Sequence, residues 1–181
     1  MRTHERPATG TVCAACGFRY SPVTTIEAVT LLLDLPTEYR AALNVPDVDL
    51  RSRRDDDGWS AIEYASHAAE ILHSARKRLV LVFERDDRVV TPPHLEAVRA
   101  SASTAPPELV LASVAAACRD LGRLVGAVPD QVWEHTARRD GEVVTARDLL
   151  TDALHEAHHH ALDARAAGRA ASSEAGLLSP A

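Results

Sequence analysis

A chain of 181 residues is long enough for one domain with a substantial core, and too short for two ordinary domains with linkers. Apolar residues make up 46% of it but aromatics only 4%, so the core has to be assembled from Ala, Leu and Val in the manner of packed helices, and an all-α class is expected. The net charge of -6 has intermixed signs and no basic stripe, which argues against a nucleic-acid partner; no run of about 18 apolar residues and no signal-peptide core is present, which argues against a membrane and for the cytoplasm.

Residues 1–22 carry Pro7, Gly10, Gly17 and Pro22 among polar residues and show no periodic apolar face, so they read as an arm or small knuckle. Ile26, Val29, Leu32, Leu33, Tyr39 and Leu43 then repeat at helical spacing, with Thr24 or Thr25 as the start and Pro36 expected to kink or divide the helix. A charged loop over 44–58 leads to Ser60-Ala61-Ile62-Glu63, a capping box with Trp59 placed as its hydrophobic staple, and to a long second helix containing His67.

Residues 88–105 read as an irregular crossover, after which Pro106 or Pro107 opens a third helix reaching about Val128. Val132 to Val144, with Asp140-Gly141 between, reads as a short hairpin or as a loop. Thr145 and Asp148 signal the start of a fourth helix over about 146–167, with Gly168 placed to end it and residues 169–181 expected to be a disordered tail. The organisation is thus an arm over 1–22, a four-helix unit over 23–168, and the tail.

The fourth helix carries His155-Glu156-Ala157-His158-His159-His160. His155 and His159 stand four residues apart, so their imidazoles leave one face one turn apart and can share a metal ion. Imidazole nitrogen favours zinc, nickel, iron or copper over magnesium or calcium. His67 lies on the apolar side of the second helix and supplies the expected third ligand. His73 falls about 240° further round that helix and cannot share its face. The competing readings are a hydrogen-bonded core histidine at 67 and a solvated polar face at 155 to 160.

Cys13, Cys16 and Cys118 form an odd set that a reducing compartment keeps as thiols. Cys13-x-x-Cys16-Gly17 is half of a zinc knuckle, because such a turn directs both sulfurs at one ion. Its remaining ligands are open among His4, His158, His160 and an acidic side chain, and inert thiols or a redox pair are the competing readings. The redox pair is the weaker of these, because no βαβ unit accompanies it. Cys118 reads as a small core residue.

Trp59-Ser60-Ala61-Ile62-Glu63-Tyr64-Ala65-Ser66-His67, followed about ninety residues later by His155-Glu156-Ala157-His158-His159, resembles the W-S-x-x-E-x-x-x-H and H-x-x-H-H signatures of the DinB-like four-helix metalloproteins. The resemblance spans residues 24 to about 167. It implies an up-up-down-down bundle with a long crossover, and a divalent metal, zinc or nickel, held by His67, His155 and His159. It also implies relatives that use mycothiol or bacillithiol, among them thiol S-transferases and maleylpyruvate isomerase. The Cys13–Phe18 opening looks like an extension found in one branch of that family, and Glu70 carries no implied role.

A three-histidine site with an open coordination position would turn a thiol or water into a nucleophile at neutral pH, suited to transfer, isomerisation or hydrolysis on an electrophilic small molecule. Glu63 and Glu156 are the candidate proton shuttles or orienting groups, with Asp163 near the histidine pair. Cys13, Cys16 and His158 form a candidate second metal site. The other function class is a non-catalytic metal- or small-molecule-binding module that dimerises through a helix face.

Overall fold

The computed structural model describes residues 9–46, 48–53, 58–91, 102 and 104–177, with side chains as far as residue 171. Among the described residues the long helices are α1 (Thr25–Leu43), α2 (Ala61–Glu84), α3 (Pro107–Ala127) and α4 (Ala146–Leu177). Three short strands, β1 (Arg88–Val89), β2 (Thr136–Arg139) and β3 (Glu142–Thr145), form a small mixed sheet before α4.

Local chemistry sets most of the helix starts. Thr24 and Glu27 exchange hydrogen bonds as a capping box, as do Ser60 and Glu63 in front of α2. Trp59 packs on Tyr64 with ring centroids 5.6 Å apart, which is the staple geometry of the residue before the cap on the fourth helical residue. Thr145 and Asp148 make the same reciprocal pair at α4, with N–H···O distances of 3.0 and 3.1 Å. Pro107 occupies the first turn of α3, where its missing N–H costs nothing.

Two expectations about helix ends are corrected. Of the kink or division expected at Pro36, the division does not occur: α1 continues through it. The one amide lost there is outweighed by burial of Leu32, Leu35 and Tyr39 on either side, and by the Tyr39 hydroxyl donating to the Ala157 carbonyl of α4 at 2.6 Å. α4 does not stop at Gly168 but continues to Leu177, so residues 169–177, expected as disordered tail, have helical backbone. Gly168 serves close packing instead: a Cβ there would stand 3.2 Å from the carbonyl oxygen of Ala42.

α1 and α2 lie diagonally across the bundle, each packed between α3 and α4. Val23 reaches Thr151, Tyr39 reaches Ala157 and Gly168 abuts Ala42, so α1 and α4 run in the same direction. His67 lies beside Glu156 while the end of α2 meets His135 and Thr136 just before α4, so α2 and α4 are antiparallel. Ser66 and Leu109 share a cavity wall and Leu32 touches Gly122, which sets α3 parallel to α2 and antiparallel to α1. The order is up-down-down-up, in place of the up-up-down-down order implied by the family resemblance; of the crossover expected over 88–105, residues 92–101 and 103 lie outside the described residues. Alanines of α2 (Ala65, Ala68, Ala69) and α4 (Ala153, Ala157, Ala161) are buried in the core with Leu72, Leu79, Leu150 and Leu154.

The hairpin begins later than expected. Val132 and Trp133 lie in a single 3-10 turn, Asp130–Glu134, because Trp133 is wholly buried against Phe83, and pairing starts at Thr136. Asp140 and Gly141 both have positive φ, 53° and 89°, the backbone of a tight two-residue turn. The parallel partner β1, which no sequence pattern announced, is held by Asp86 accepting from the Thr136 amide at 2.6 Å.

Candidate metal centres

The arm folds into a knuckle. Thr11 and Tyr20 are joined by a backbone hydrogen bond, Val12 bridges Arg19, and the Cys13 amide donates to the Phe18 carbonyl at 2.8 Å. Gly17 closes the turn with φ of +74°, a conformation that suits glycine and strains other residues, and its amide donates to the Cys13 carbonyl. Burial pushes the Cys13 thiol up, but hydrogen bonds from the backbone of Cys16 and Ala15, with others from Cys16 and His159, outweigh it and hold the group at about 7. Burial raises the Cys16 thiol, with Cys13 adding to the rise.

The knuckle lies on the outer face of α4. Sγ of Cys13 and Cys16 and one ring nitrogen each of His155 and His159 all fall within 4.8 Å of one another, with Cys13 Sγ 3.5 Å from His159 Nδ1. The Tyr20 hydroxyl meets Nδ1 of His155, and the rings of Phe18 and Tyr20 flank that imidazole at 5.2 and 4.5 Å between centroids. Burial holds His155 down to about 4, with the nearby His159 contributing. Burial likewise raises Tyr20 to about 12.

A second cluster faces α2. His67, Glu156 and His160 also bring one donor atom each within 4.8 Å of one another. Nε2 of His67 is 3.5 Å from Glu156 Oε1, and Nε2 of His160 is 4.0 Å from the same oxygen. His160 is turned by Asp163, which sits 3.0 Å from its Nδ1. Trp59 and Tyr64 wall the cluster, at 4.9 Å from the His67 ring and 5.3 Å from the His160 ring respectively. Partial burial pushes the Glu156 carboxyl up, but contact with His67 and the neighbouring imidazoles brings it below the usual carboxylate range. His67 is 3% exposed, and its Nδ1 is buried with no hydrogen-bond partner among the described residues.

The structure therefore does not gather His67, His155 and His159 into one group: His155 and His159 join the cysteines, and His67 joins Glu156 and His160. The reason is the rotational setting of α4. Ala157 and Ala161 are buried and face the bundle axis. At about 100° per residue, Glu156 and His160 then flank that direction on the α2 side, whereas His155 and His159 stand about 160° away from Ala157, pointing outward. His158 lies on the α1 side, 3.3 Å from Glu38, so it does not complete the cysteine site as expected. The signal that would have identified Glu156 and His160 was present: they too are four residues apart, and alanine at 153, 157, 161 and 164 marks the buried stripe they border.

Glu63, one of the two carboxylate candidates, is occupied elsewhere. It accepts from the Ser60 amide at 2.8 Å and from Arg53 Nε at 3.0 Å, and burial opposed by these hydrogen bonds leaves its pKa lowered. His73 lines a cavity of about 240 Å³ between α2 and α3 with Glu70, Ser66 and Ser113, away from both clusters. Cys118 is buried in the core as expected. His4 and His94 lie outside the described residues. No described helix is long and apolar enough to cross a membrane.

No family model matches the chain. No curated protein matches it either. Among solved structures it is similar to YfiT from Bacillus subtilis, described as a probable metal-dependent hydrolase with an unusual four-helix bundle topology, at 20% identity and a TM-score of 0.71 over 84% of this chain and 87% of that one. The fold is that bundle. The four-helix bundle expected from the resemblance is present, with a different helix order, and at this identity the likeness is one of fold alone.

Proposed function

We propose that the chain is a metal-dependent enzyme of the DinB-like type, in which His67, His160 and Glu156 hold one divalent ion and a water molecule, or a low-molecular-weight thiol such as mycothiol, acts as nucleophile on an electrophilic small molecule. The observation that carries this reading is the convergence of two imidazoles and a carboxylate, one donor atom from each within 4.8 Å of the others, at buried His67, whose Nε2 stands 3.5 Å from Glu156 Oε1. Two imidazoles and a carboxylate brought together in this way are a donor set that a divalent cation satisfies. Two nitrogens and one carboxylate oxygen suit zinc, iron or nickel, and three protein ligands leave positions open.

An ion held there would lower the pKa of a bound water or thiol enough to make it a nucleophile near neutral pH. The chain's own residues do the rest. Asp163 fixes the ring of His160 through Nδ1 and so presents Nε2 to the cluster. Glu156, kept ionised by its imidazole neighbours, is placed to accept a proton on its second oxygen. Trp59 and Tyr64 exclude solvent from one side of the cluster. YfiT, with the same bundle, is described as a probable metal-dependent hydrolase, which favours water over thiol as nucleophile.

The test is to strip the purified protein with chelator, restore zinc, nickel, iron or manganese singly, and assay an ester, amide and lactone panel beside a mycothiol, bacillithiol and glutathione panel with electrophiles. Metal-restored turnover that disappears in His67→Ala and His160→Ala supports the reading. Full activity after chelation, or in both variants, would overturn it; metal binding with no turnover on either panel would leave a binding module instead.

A further inference from the structure

Cys13 and Cys16 are brought to His155 and His159 from the opposite end of the sequence, and the four donor atoms are mutually close enough for one small ion. The edge between Cys13 and His159 has the length such a site needs. Zinc bonds of about 2.3 Å to sulfur and about 2.0 to 2.1 Å to nitrogen, at the tetrahedral angle, place S and N about 3.6 Å apart, and Cys13 Sγ stands 3.5 Å from His159 Nδ1.

The Tyr20 hydroxyl lies against His155, meeting Nδ1 and standing 3.3 Å from Nε2, and Asp163 lies 3.5 Å from Nε2 of His159, whose Nδ1 faces Cys13. This is the outer support that metal-bound histidines need. Among its described residues the knuckle meets α4 through two aromatic rings, Phe18 and Tyr20. A metal staple adds to so small a contact. Two thiolates with two imidazoles select zinc over the hard cations. A Cys13–Cys16 disulfide would give no reason for both histidines to converge on the sulfurs.

We propose that Cys13, Cys16, His155 and His159 form a closed, structural zinc site that fastens the N-terminal knuckle to α4, separate from the His67, Glu156 and His160 cluster. With four protein ligands no position is open to substrate, so the site's role is to fix the arm and the rotational setting of α4. The inference does not depend on the proposed activity.

Elemental analysis of the full chain and its cobalt-substituted form tests it. The wild type is expected to carry one zinc equivalent that Cys13→Ser/Cys16→Ser loses and His67→Ala/His160→Ala keeps. Cobalt in place of zinc is expected to give a sulfur-to-cobalt charge-transfer band in the near ultraviolet, present in the wild type and in the His67→Ala/His160→Ala variant. Zinc content unchanged by the cysteine substitutions would overturn the proposal. So would cobalt-loaded wild type without that band, or zinc-loaded wild type whose two thiols react with a thiol reagent as fast as after chelation. The last two measurements use only wild-type protein and decide the matter even if the cysteine variant fails to fold.

Discussion

One carboxylate oxygen of Asp163 lies 3.0 Å from Nδ1 of His160, and the same oxygen is 3.5 Å from Nε2 of His159. A single side chain thus supports one histidine from each cluster. Asp163→Ala is expected to weaken metal retention at both, by about 10- to 100-fold as such outer partners do. Competition with a fluorescent chelator measures it, and Asp163→Asn, which keeps the shape but not the charge, should fall between the two. An effect on neither site would show that Asp163 is only a surface charge.

Tyr39→Phe deletes the hydroxyl that donates to the Ala157 carbonyl at 2.6 Å in the wholly buried interface of α1 and α4. The carbonyl belongs to a helix interior, so the expected loss is that of one hydrogen bond, about 1 kcal/mol, or a fall in Tm of about 2–4 °C for a chain of this size. Urea denaturation of chelated protein reads it without interference from bound metal.

Two helical glycines should respond oppositely to alanine. At Gly122 a Cβ would make ordinary contact with Leu32 at 3.9 Å, so Gly122→Ala should stabilise by up to about 1 kcal/mol. At Gly168 the Cβ would press to 3.2 Å on the Ala42 carbonyl oxygen and 3.4 Å on Val45, and backbone yields poorly. Gly168→Ala is expected to forfeit the helix-propensity gain, leaving a Tm at or below that of wild type.

Metal-free protein should lose stability as pH falls from about 6.5 to about 4. His155 is held down to about 4 in the folded state by burial, against 6.5 for the free side chain, so across that window the unfolded chain binds more protons. Above the window the term vanishes. Below the window the full penalty is present and constant. His155→Gln should flatten this part of the pH–stability curve measured by thermal melting, and an unchanged slope would assign it to other groups.

Local signals in the sequence were sufficient for most of the architecture. Thr24, Ser60 and Thr145 cap their helices through side-chain chemistry that needs no tertiary partner, and Asp140-Gly141 makes the turn its residue types allow. The helix directions and the parallel β1–β2 pair were not legible, because they depend on packing between segments far apart in sequence. The site divided in the same way. Residue types and the i, i+4 spacing announced metal-binding chemistry on α4, but three successive histidines at 158 to 160, with His155 and Glu156 before them, left its rotational phase open. Only the burial of Ala157 and Ala161 in the bundle core settles which residues meet His67. The arm's cysteines announced a knuckle, while their partners lay about 140 residues away and were fixed by tertiary packing.

α4 carries its two donor pairs one residue out of step, 155 with 159 and 156 with 160. The shaft therefore has one working phase: a twist that brings Glu156 and His160 closer to His67 swings the neighbouring pair against the arm by the same angle. A one-residue insertion in the first two turns of α4 would rotate everything beyond it by about 100° relative to what precedes it, and would misalign both sets in a single event. Length changes in α4 ahead of His155 therefore disturb both sites together, whereas length changes beyond His160 leave the two pairs in phase.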